Sequence, residues 1–356
     1  MKQYLRVKHK TFKEGQINTR YQSWAKLTSD PDILQTVKGV KIQFESNPNT
    51  TAESRQRQFT AEINKAVDDE IQKLLKKEVI AESAFEPGQL ISPIFVRPKK
   101  DGSFRMILNL KVLNEHVEYK KFKMETLQTA LNMVTKGAWF TSVDLRDVFY
   151  TLPISTDCRR YILKFCWREK LYCFQAAAMG LGPIPRIFTK LTKPALAHLR
   201  NLGHAITSFI DDSLLVGETQ SETVAATIDT IKTFDSLGFL VHDDKSQLVP
   251  TQEITYLGFV INSKEMTVTL TEERKQKVMQ TCIDLLRQKR SKMRSVASCI
   301  GLLVSSLPGV PLGQLHIIEG WRGIKIAHCA KHVQPGVSKR ISPPCAKQPQ
   351  EMSSLG

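Results

Sequence analysis

Apolar residues recur every three or four positions in several stretches of this 356-residue chain. The clearest stretch runs from Ile63 to Leu75, where isoleucine, valine and leucine share one face and lysine and glutamate fill the other. This spacing is typical of an amphipathic helix with one buried side. The same argument predicts helices over Ile187–Leu199, Ser221–Leu237 and Glu272–Lys289, and a helix rich in small residues after the last of these.

Short β-prone runs alternate with the helical stretches. Two of them, Ser92–Arg97 and Phe104–Leu110, flank a basic Asp-Gly turn, which predicts a β-hairpin. Further strands are predicted over Trp139–Leu145, over Ile206–Gly217 with two acids interrupting it, and over Ile254–Ile261 as one strand. For this mixture of helices and short strands we expect an α+β fold, with an antiparallel sheet backed by helices.

The two ends of the chain have no such pattern. Residues 1–45 are mixed and basic without clean periodicity, and the polar segment 46–58 predicts a linker or loop. The residues after Trp321 are rich in proline and lysine and lack an apolar period, so we expect a disordered tail there.

The amino-acid composition indicates a class of binding partner. The chain has 51 Lys and Arg against 35 Asp and Glu, a formal net charge of +16, which favours an anionic partner such as nucleic acid. Seven scattered cysteines and a charged N-terminus without an apolar leader indicate a reduced intracellular protein that is not secreted. The uncharged segment 295–318 contains Pro308 and Pro311, so we expect a buried helix and turn there, not a membrane span.

Acidic residues mark the candidate chemistry. Asp211 and Asp212 lie between two apolar runs, where a solvated turn and a functional pair are equally good interpretations of that window alone. Asp144 ends a predicted strand, and if that strand pairs beside the Asp211 hairpin the carboxylates converge. Clustered carboxylates suit Mg²⁺, and two such ions stabilise an in-line phosphoryl displacement. For Asp144 alone the competing interpretation is a strand-end cap, and we expect Asp147 to be structural.

Basic residues and glycines lie where a triphosphate would need them. Lys99, Lys100 and Arg105 are on the predicted hairpin, where they could bind phosphates, although a Lys-Lys turn is more often a solvated loop. Lys245 could protonate a leaving pyrophosphate if it lies close enough. The turn at Gly180 would let backbone approach a nucleotide, but it does not match a phosphate-binding P-loop.

The order of these segments resembles the reverse transcriptases of retroelements. The segments that carry the resemblance are Leu90–Arg105 with Asn109–Asn114, Val143–Phe149, Phe174–Phe188, Phe209–Asp212, Leu237–Phe239 with Lys245 and Ser246, and Tyr256–Phe259. The N-terminal segments Trp24–Thr28, Ile33–Leu34 and Val37–Gly39 are most similar to the DIRS-like tyrosine-recombinase retrotransposons. The resemblance covers about residues 20–320.

The resemblance implies a right-hand polymerase with fingers, an antiparallel-sheet palm and part of a helical thumb. Its domain division would be an N-terminal extension and linker (1–55), fingers (56–140), a palm (141–265) with an inserted fingers segment (155–178), the start of the thumb or connection (266–320) and a disordered tail (321–356). Its partners would be an RNA or DNA template with a primer, and deoxynucleoside triphosphates. No membrane partner is expected.

The resemblance also implies roles for single residues. Asp144, Asp211 and Asp212 would be catalytic acids that bind two Mg²⁺ ions, with Mn²⁺ as a substitute. The nucleotide contacts would be Lys99 and Arg105 on the triphosphate, Phe149 excluding a 2′-hydroxyl, Gly180 through its backbone, and Lys245. The expected activity is template-directed addition of deoxynucleotides to a primer 3′-hydroxyl.

Several positions depart from the family pattern around the nucleotide pocket, namely Ala177–Gly180, Ile184–Pro185 and Phe209. The chain also carries no recognisable ribonuclease H segment after the palm. These departures support an alternative hypothesis, a truncated and inactive reverse-transcriptase relic that binds nucleic acid without turnover. A nucleotide cyclase is a second alternative, but the fingers hairpin and the basic stretch at residues 287–294 argue against it.

Overall fold

The computed structural model describes residues 16–46, 48, 59–98, 102–159, 162–288, 291–310 and 339–340. The α-helices in these residues are α1 (Tyr21–Leu27), α2 (Pro31–Lys38), α3 (Ala61–Lys76), α4 (Lys111–His116), α5 (Leu127–Leu131), α6 (Thr156–Arg159), α7 (Ile184–Asn201), α8 (Gln220–Ser236), α9 (Glu272–Arg287) and α10 (Met293–Ser306). The strands are β1 (Ile80–Glu82), β2 (Ile94–Pro98), β3 (Phe104–Leu108), β4 (Trp139–Asp144), β5 (Lys164–Trp167), β6 (Lys170–Phe174), β7 (Ala205–Phe209), β8 (Asp212–Gly217), β9 (Gln247–Thr251), β10 (Glu253–Tyr256), β11 (Phe259–Asn262), β12 (Thr267–Leu270) and β13 (Lys339–Arg340).

A four-stranded antiparallel sheet, which we call the palm sheet, lies at the centre with strand order β7-β8-β4-β9. Its two middle strands are buried on both faces, because α8 covers one face and a second sheet packs near the other. On the α8 side the hydroxyls of Thr141 and Thr227 are 2.7 Å apart. Since side chains alternate along a strand, Asp144 shares the opposite face with Phe140.

Two apolar cores meet at this sheet. The first joins the N-terminal helices, α3, the β1-β6-β5 sheet and α7 to one face, through residues such as Val143 and Leu215. The second joins the opposite face to the β10–β13 sheet and to α9 and α10, through residues such as Phe140, Leu214 and Val216. The palm sheet is therefore shared by both cores, and its strand ends are fixed from two sides.

The N-terminal part contains structure that apolar periodicity did not predict. Trp24 of α1 and Val37 of α2 are fully buried, and the indole Nε1 of Trp24 donates a hydrogen bond to the carbonyl of Leu237 at 3.0 Å. Capping residues were the available signal for α2: Asp30 accepts from the amides of its first turn, and Pro31 stands at the first helical position. Both helices are too short to show a long apolar repeat.

The prediction of one strand over residues 254–261 was wrong. The segment is a hairpin of β10 and β11, with Tyr256 paired to Phe259 across a turn of Leu257 and Gly258. Both turn residues have positive φ angles, 49° and 79°, as a tight two-residue hairpin requires. Gly258 was the residue in the sequence that indicated the turn.

Arg274 ties this hairpin turn to the two last helices. Its guanidinium donates to the carbonyls of Leu257 at 3.0 Å and Ser305 at 2.7 Å. It also lies 4.6 Å from the centre of the Phe259 ring, a cation–π distance. One side chain at the start of α9 thus joins the β10–β11 turn to the end of α10.

Some of the other predicted elements agree with the structure, and some lie partly outside the described residues. The α3 helix, the β2–β3 hairpin, and helices α7, α8 and α9 agree with the pattern within a few residues. Most of the predicted linker at 46–58 lies outside the described residues. Of the predicted tail only the strand Lys339–Arg340 is described, and it pairs with β12. Across the described ranges we find no helix of the length and hydropathy that a bilayer span requires, and α10 has only 14 residues.

We expect Trp24→Phe to lower the free energy of unfolding by about 1–3 kcal/mol, because the buried carbonyl of Leu237 loses its donor. Urea unfolding followed by fluorescence or circular dichroism measures this. Tyr119→Phe is the matched control, since Tyr119 is 75% exposed and should change stability by less than about 0.5 kcal/mol. Equal stability of both variants would show that the N-terminal helices do not belong to the folded core.

Candidate active site at the end of the palm strands

Three acids from distant parts of the sequence meet where β4 ends. Asp144 is paired directly with Asp212 across the antiparallel β4–β8 ladder. One residue further, the amide of Leu145 donates to the carbonyl of Asp211 at 2.8 Å. Directly opposite residues in such a ladder have Cβ atoms about 4.5–5.5 Å apart. The structure therefore brings together the three acids that the sequence singled out.

The turn between β7 and β8 sets the positions of Asp211 and Asp212. Phe209 pairs with Asp212, so that Ile210 and Asp211 form a two-residue turn. Ile210 has a φ of 57°, a left-handed conformation that is unusual for a β-branched residue and costs about 1–3 kcal/mol. Asp211 lies at the turn, and Asp212 begins β8. Both are partly buried, so this is not a freely solvated Asp-Asp turn.

The crowding changes the acid strength of these carboxyl groups. Burial, together with the smaller effect of the nearby charges of Asp144 and Asp211, raises the pKa of Asp212 to about 7. Burial also raises the pKa of Asp144, although Lys245 pulls it down. The site therefore holds more negative charge than it can keep ionised at neutral pH without a compensating cation.

The segment between α8 and β9 closes around the end of β4. The amide of His242 donates to the carbonyl of Asp144 at 2.8 Å, and the amide of Asp144 donates to the hydroxyl of Ser246 at 3.0 Å. That hydroxyl in turn donates to the carbonyl of His242 at 2.9 Å. These three hydrogen bonds hold the loop that contains Lys245 next to the acids. The positive charge of Lys245 acts against burial and lowers the pKa of Asp144.

A cleft of about 410 Å³ opens next to the carboxylates. Its lining combines acids, bases and apolar side chains, namely Lys77, Leu145, Arg146, Asp147, Val148, Phe149, Met179, Ile210, Asp211, His242 and Lys245. Asp147 accepts a hydrogen bond from the Lys77 ammonium at 2.7 Å. The ion pair supports the structural role expected for Asp147, which nevertheless faces the cleft.

The predicted nucleotide residues occupy different places. Phe149 lines the cleft and packs edge-on against Phe188, with ring centres 6.0 Å apart. Gly180 is exposed, has a φ of 93° and follows Met179, which lines the cleft. Arg105 lies exposed on β3 opposite Arg97, outside the lining of the cleft. Lys99 and Lys100 fall outside the described residues.

Sequence reasoning missed three residues of the site region. Lys77 ends α3 and reaches the cleft from 70 positions away, a distance over which no local pattern carries information. His242 enters it through the loop before Lys245. Asn114 bonds the glycine turn after Met179, and its only signal was its position in a segment already compared with the fingers of reverse transcriptases.

The donor set suits a hard divalent cation. Carboxylate oxygens are the ligands that Mg²⁺ prefers, and the raised pKa values of Asp212 and Asp144 mark a place where added positive charge would stabilise the folded protein. In the residues that the structure describes, no group of three or more His, Cys, Asp or Glu side chains is arranged to hold a metal ion by itself. Mg²⁺ is usually bound by one or two carboxylates together with substrate phosphates and water, so Asp144 and Asp211 are the side chains that would hold it together with a bound triphosphate.

Comparison with known proteins shows what the sequence around these acids is similar to. Residues 97–261, which contain the three acids, match the family model described as reverse transcriptase (RNA-dependent DNA polymerase). The Gag-Pol polyprotein of avian reticuloendotheliosis virus is 25% identical over 298 residues, covering 80% of this chain. A Tf2 transposon polyprotein of Schizosaccharomyces pombe is 21% identical over 259 residues, covering 72%. Residues 97–261 thus match a reverse transcriptase domain, and the chain is similar to polyproteins of the retroviral and retrotransposon type.

Solved structures agree with this reverse transcriptase domain at the level of the fold. The foamy viral protease-reverse transcriptase in complex with dsDNA superimposes with a TM-score of 0.65 at 20% identity, covering 93% of this chain and 73% of that one. The same protein in complex with an RNA/DNA hybrid gives a TM-score of 0.62 at 20% identity, with 89% and 45% covered. The expected α+β polymerase fold is thereby confirmed.

The chain corresponds to only part of the length of these relatives. The chain spans 25% of the length of the avian polyprotein and 19% of the Tf2 polyprotein.

The crowded acids predict a pH-dependent stability. The folded protein holds the Asp212 proton up to a pH of about 7, whereas the unfolded chain releases it near pH 4, at the ordinary pKa of about 3.9. The folded state then binds more protons between these values, so the free energy of unfolding falls as pH rises through this window. Asp212→Asn removes the effect, and we expect it to be more stable than the wild type at pH 8 by about 1–3 kcal/mol.

Urea unfolding of both proteins from pH 4 to pH 8, without divalent cations, measures the difference. The gap should close toward pH 4, where the Asp212 carboxyl is protonated in the folded state and about half protonated in the unfolded chain. A variant that is less stable than the wild type at pH 8 would contradict the electrostatic crowding.

Proposed function

We propose that the chain catalyses template-directed addition of deoxynucleotides to a primer 3′-hydroxyl, with release of pyrophosphate. The observation that carries the proposal is the meeting of Asp144, Asp211 and Asp212 at the end of two paired strands, beside a cleft lined by cationic side chains. The match of residues 97–261 to the reverse transcriptase family supports the same reaction.

The three acids have distinct parts in this proposal. Asp144 and Asp211 would hold two divalent cations, Mg²⁺ or Mn²⁺, and Asp212 would support them through its charge. When bound, such a pair of ions stabilises the charge on the attacking and leaving oxygens of a phosphoryl transfer. The protein's own contribution is a rigid β4–β8 ladder that keeps like charges together before any ion arrives.

The cleft would hold the incoming deoxynucleoside triphosphate. Phe149, held edge-on by Phe188, would occupy the space that a 2′-hydroxyl needs. The charge of Lys245 offsets part of the effect of burial on the pKa of Asp144, which indicates that the two side chains are close. The Lys245 ammonium could therefore deliver a proton to the leaving pyrophosphate. Lys99, Arg105 and the backbone of Gly180 stay predicted triphosphate contacts, and movement of the β2–β3 hairpin toward the cleft would be needed for Arg105.

Nucleic acid is the proposed macromolecular partner. The formal net charge of +16 suits a polyanion. Four cationic side chains line a second cleft of about 320 Å³ between α2 and the start of α7, namely Lys41, Lys120, Arg186 and Lys190. The solved foamy viral relatives are complexes with dsDNA and with an RNA/DNA hybrid, which suggests a primer and template of either kind here.

The finer assignments also remain proposals. We propose the division into extension (1–55), fingers (56–140), palm (141–265), thumb start (266–320) and tail (321–356), and an intracellular site of action. We propose a DIRS-like origin from the resemblance of the segments Trp24–Thr28, Ile33–Leu34 and Val37–Gly39. A tyrosine recombinase encoded beside this chain would support that origin, whereas an integrase of another chemistry would overturn it.

Asp211→Asn should abolish primer extension while primer–template affinity changes less than about twofold, since binding of the duplex depends mainly on phosphate contacts. Extension of a labelled primer with Mg²⁺, and separately with Mn²⁺, measures the first, and a filter or anisotropy titration the second. The matched control is Asp229→Asn, because Asp229 pairs with His204 outside the cleft lining.

Each outcome decides between the hypotheses. Wild-type extension that the Asp211 variant loses supports the polymerase. A wild type that binds duplex in a salt-sensitive manner but never extends it supports the inactive relic. Equal extension by both proteins removes Asp211 from the mechanism and refutes the assignment of the metal-binding acids as made here.

Phe149→Ala should relax the choice of sugar, because removal of the ring leaves room for a 2′-hydroxyl. We expect the ratio of deoxy- to ribonucleotide incorporation, measured as kcat/KM on the same primer, to fall by about tenfold or more. Phe149→Tyr keeps the ring and is the control that should retain the ratio within about threefold. An unchanged ratio in the alanine variant would remove Phe149 from the nucleotide pocket.

A further inference from the structure

Asn114 forms a latch between the fingers helix α4 and the glycine turn at the edge of the cleft. Its amide Nδ2 donates to the carbonyl of Gly180 at 2.9 Å, and its Oδ1 accepts from the amide of Gly182 at 2.8 Å. The two bonds join residues that are 66 and 68 positions apart in the chain. One side chain thus holds both ends of the Gly180–Gly182 turn.

The turn has a conformation that depends on glycine. Gly180 has a φ of 93°, which residues other than glycine rarely adopt. At Gly182 a Cβ atom would lie 3.3 Å from Oδ1 of Asn114, so a side chain there would displace the Asn114 amide by a few tenths of an ångström. Met179, which immediately precedes the turn, is part of the cleft lining. Movement of the turn would therefore change the shape of the cleft.

The latch is separate from the packing that keeps α4 in place. Leu110 and Leu113 are 3% and 0% exposed and anchor the helix in the first core. Asn114 is only partly buried, and the hydrogen bonds of its Nδ2 and Oδ1 atoms both go to the glycine turn. Its replacement would free the turn without opening a cavity in the core, so the effect on the turn can be measured apart from the effect on folding.

We propose that Asn114 is a positioning residue, which holds the Gly180–Gly182 backbone at the edge of the cleft so that the incoming deoxynucleoside triphosphate meets a preformed surface. The inference rests on the proposed polymerase function, because the ligand is the nucleotide of that reaction. Asn114 does not contact the acids and acts through the turn. Its loss should therefore weaken nucleotide binding more than it slows the chemical step.

Two substitutions separate the parts of the latch. Asn114→Ala removes both hydrogen bonds, whereas Asn114→Asp keeps an acceptor for Gly182 and places a carboxylate oxygen against the Gly180 carbonyl. We expect either change to raise the KM for the deoxynucleotide about three- to tenfold, with kcat lowered less than about twofold and primer–template affinity unchanged. Asn132→Asp, the same change at an exposed residue at the end of α5, is the matched control.

A second readout needs no turnover. Hydrogen exchange of the free protein should show faster exchange at the Gly182 amide in Asn114→Ala, with the exchange of α4 and the midpoint of urea unfolding close to wild type. If the wild type fails to extend primers, the proposed function is wrong, and exchange alone then decides whether the latch holds the turn. A wild type that extends primers, together with variants whose KM and Gly182 exchange match it, overturns the latch while the polymerase function stands.

Discussion

Repulsion between carboxylates that face each other across two paired strands is the constraint around which this protein is built. Asp144 and Asp212 are directly opposite in the β4–β8 ladder, and like charges in that position destabilise a sheet. Asp211 adds a third charge from the turn. A fold selected for stability alone would not place them there, because each is also partly withdrawn from water. The arrangement becomes favourable only when positive charge enters the site.

The surrounding structure keeps this unfavourable arrangement from relaxing. Both middle strands of the palm sheet are buried on two faces, so that moving either acid away would disrupt two cores at once. The hydrogen bonds among Asp144, His242 and Ser246 close the end of β4. Ile210 carries a left-handed backbone in the adjoining turn. Strain and charge are both concentrated in a few residues that packing elsewhere holds in place.

The cleft beside the acids depends on contacts between distant segments. Lys77 comes from the end of α3 and pairs with Asp147. Asn114 comes from α4 and holds the glycine turn. Arg274 acts in a similar way in the second core, where it joins the β10–β11 turn to α9 and α10. Single polar side chains with several hydrogen bonds thus fix the relative positions of elements that the apolar cores only bring near each other.

Local patterns were sufficient for much of the fold. The apolar spacing of α3 predicted its buried face, and the β-prone runs over Ser92–Arg97 and Phe104–Leu110 predicted the pairing of β2 with β3, because both patterns depend on residues a few positions apart. They failed for α1 and α2, which are too short for a repeat, and for the turn at Leu257 and Gly258, where apolar residues continue through a tight reversal. The available signals were the capping residues of α2 and a single glycine at the turn.

The sequence by itself determined which residues are chemically able to form the site, since Asp144, Asp211 and Asp212 stand out as acids at the ends of apolar runs. Only the tertiary structure decided that Asp144 faces Asp212, that Lys77 and His242 line the cleft beside them, and that Asn114 bonds the glycine turn, because strand register and the approach of distant segments depend on long-range packing. The acid strength of these groups was likewise decided by the fold, since burial and neighbouring charge exist only after the chain has folded.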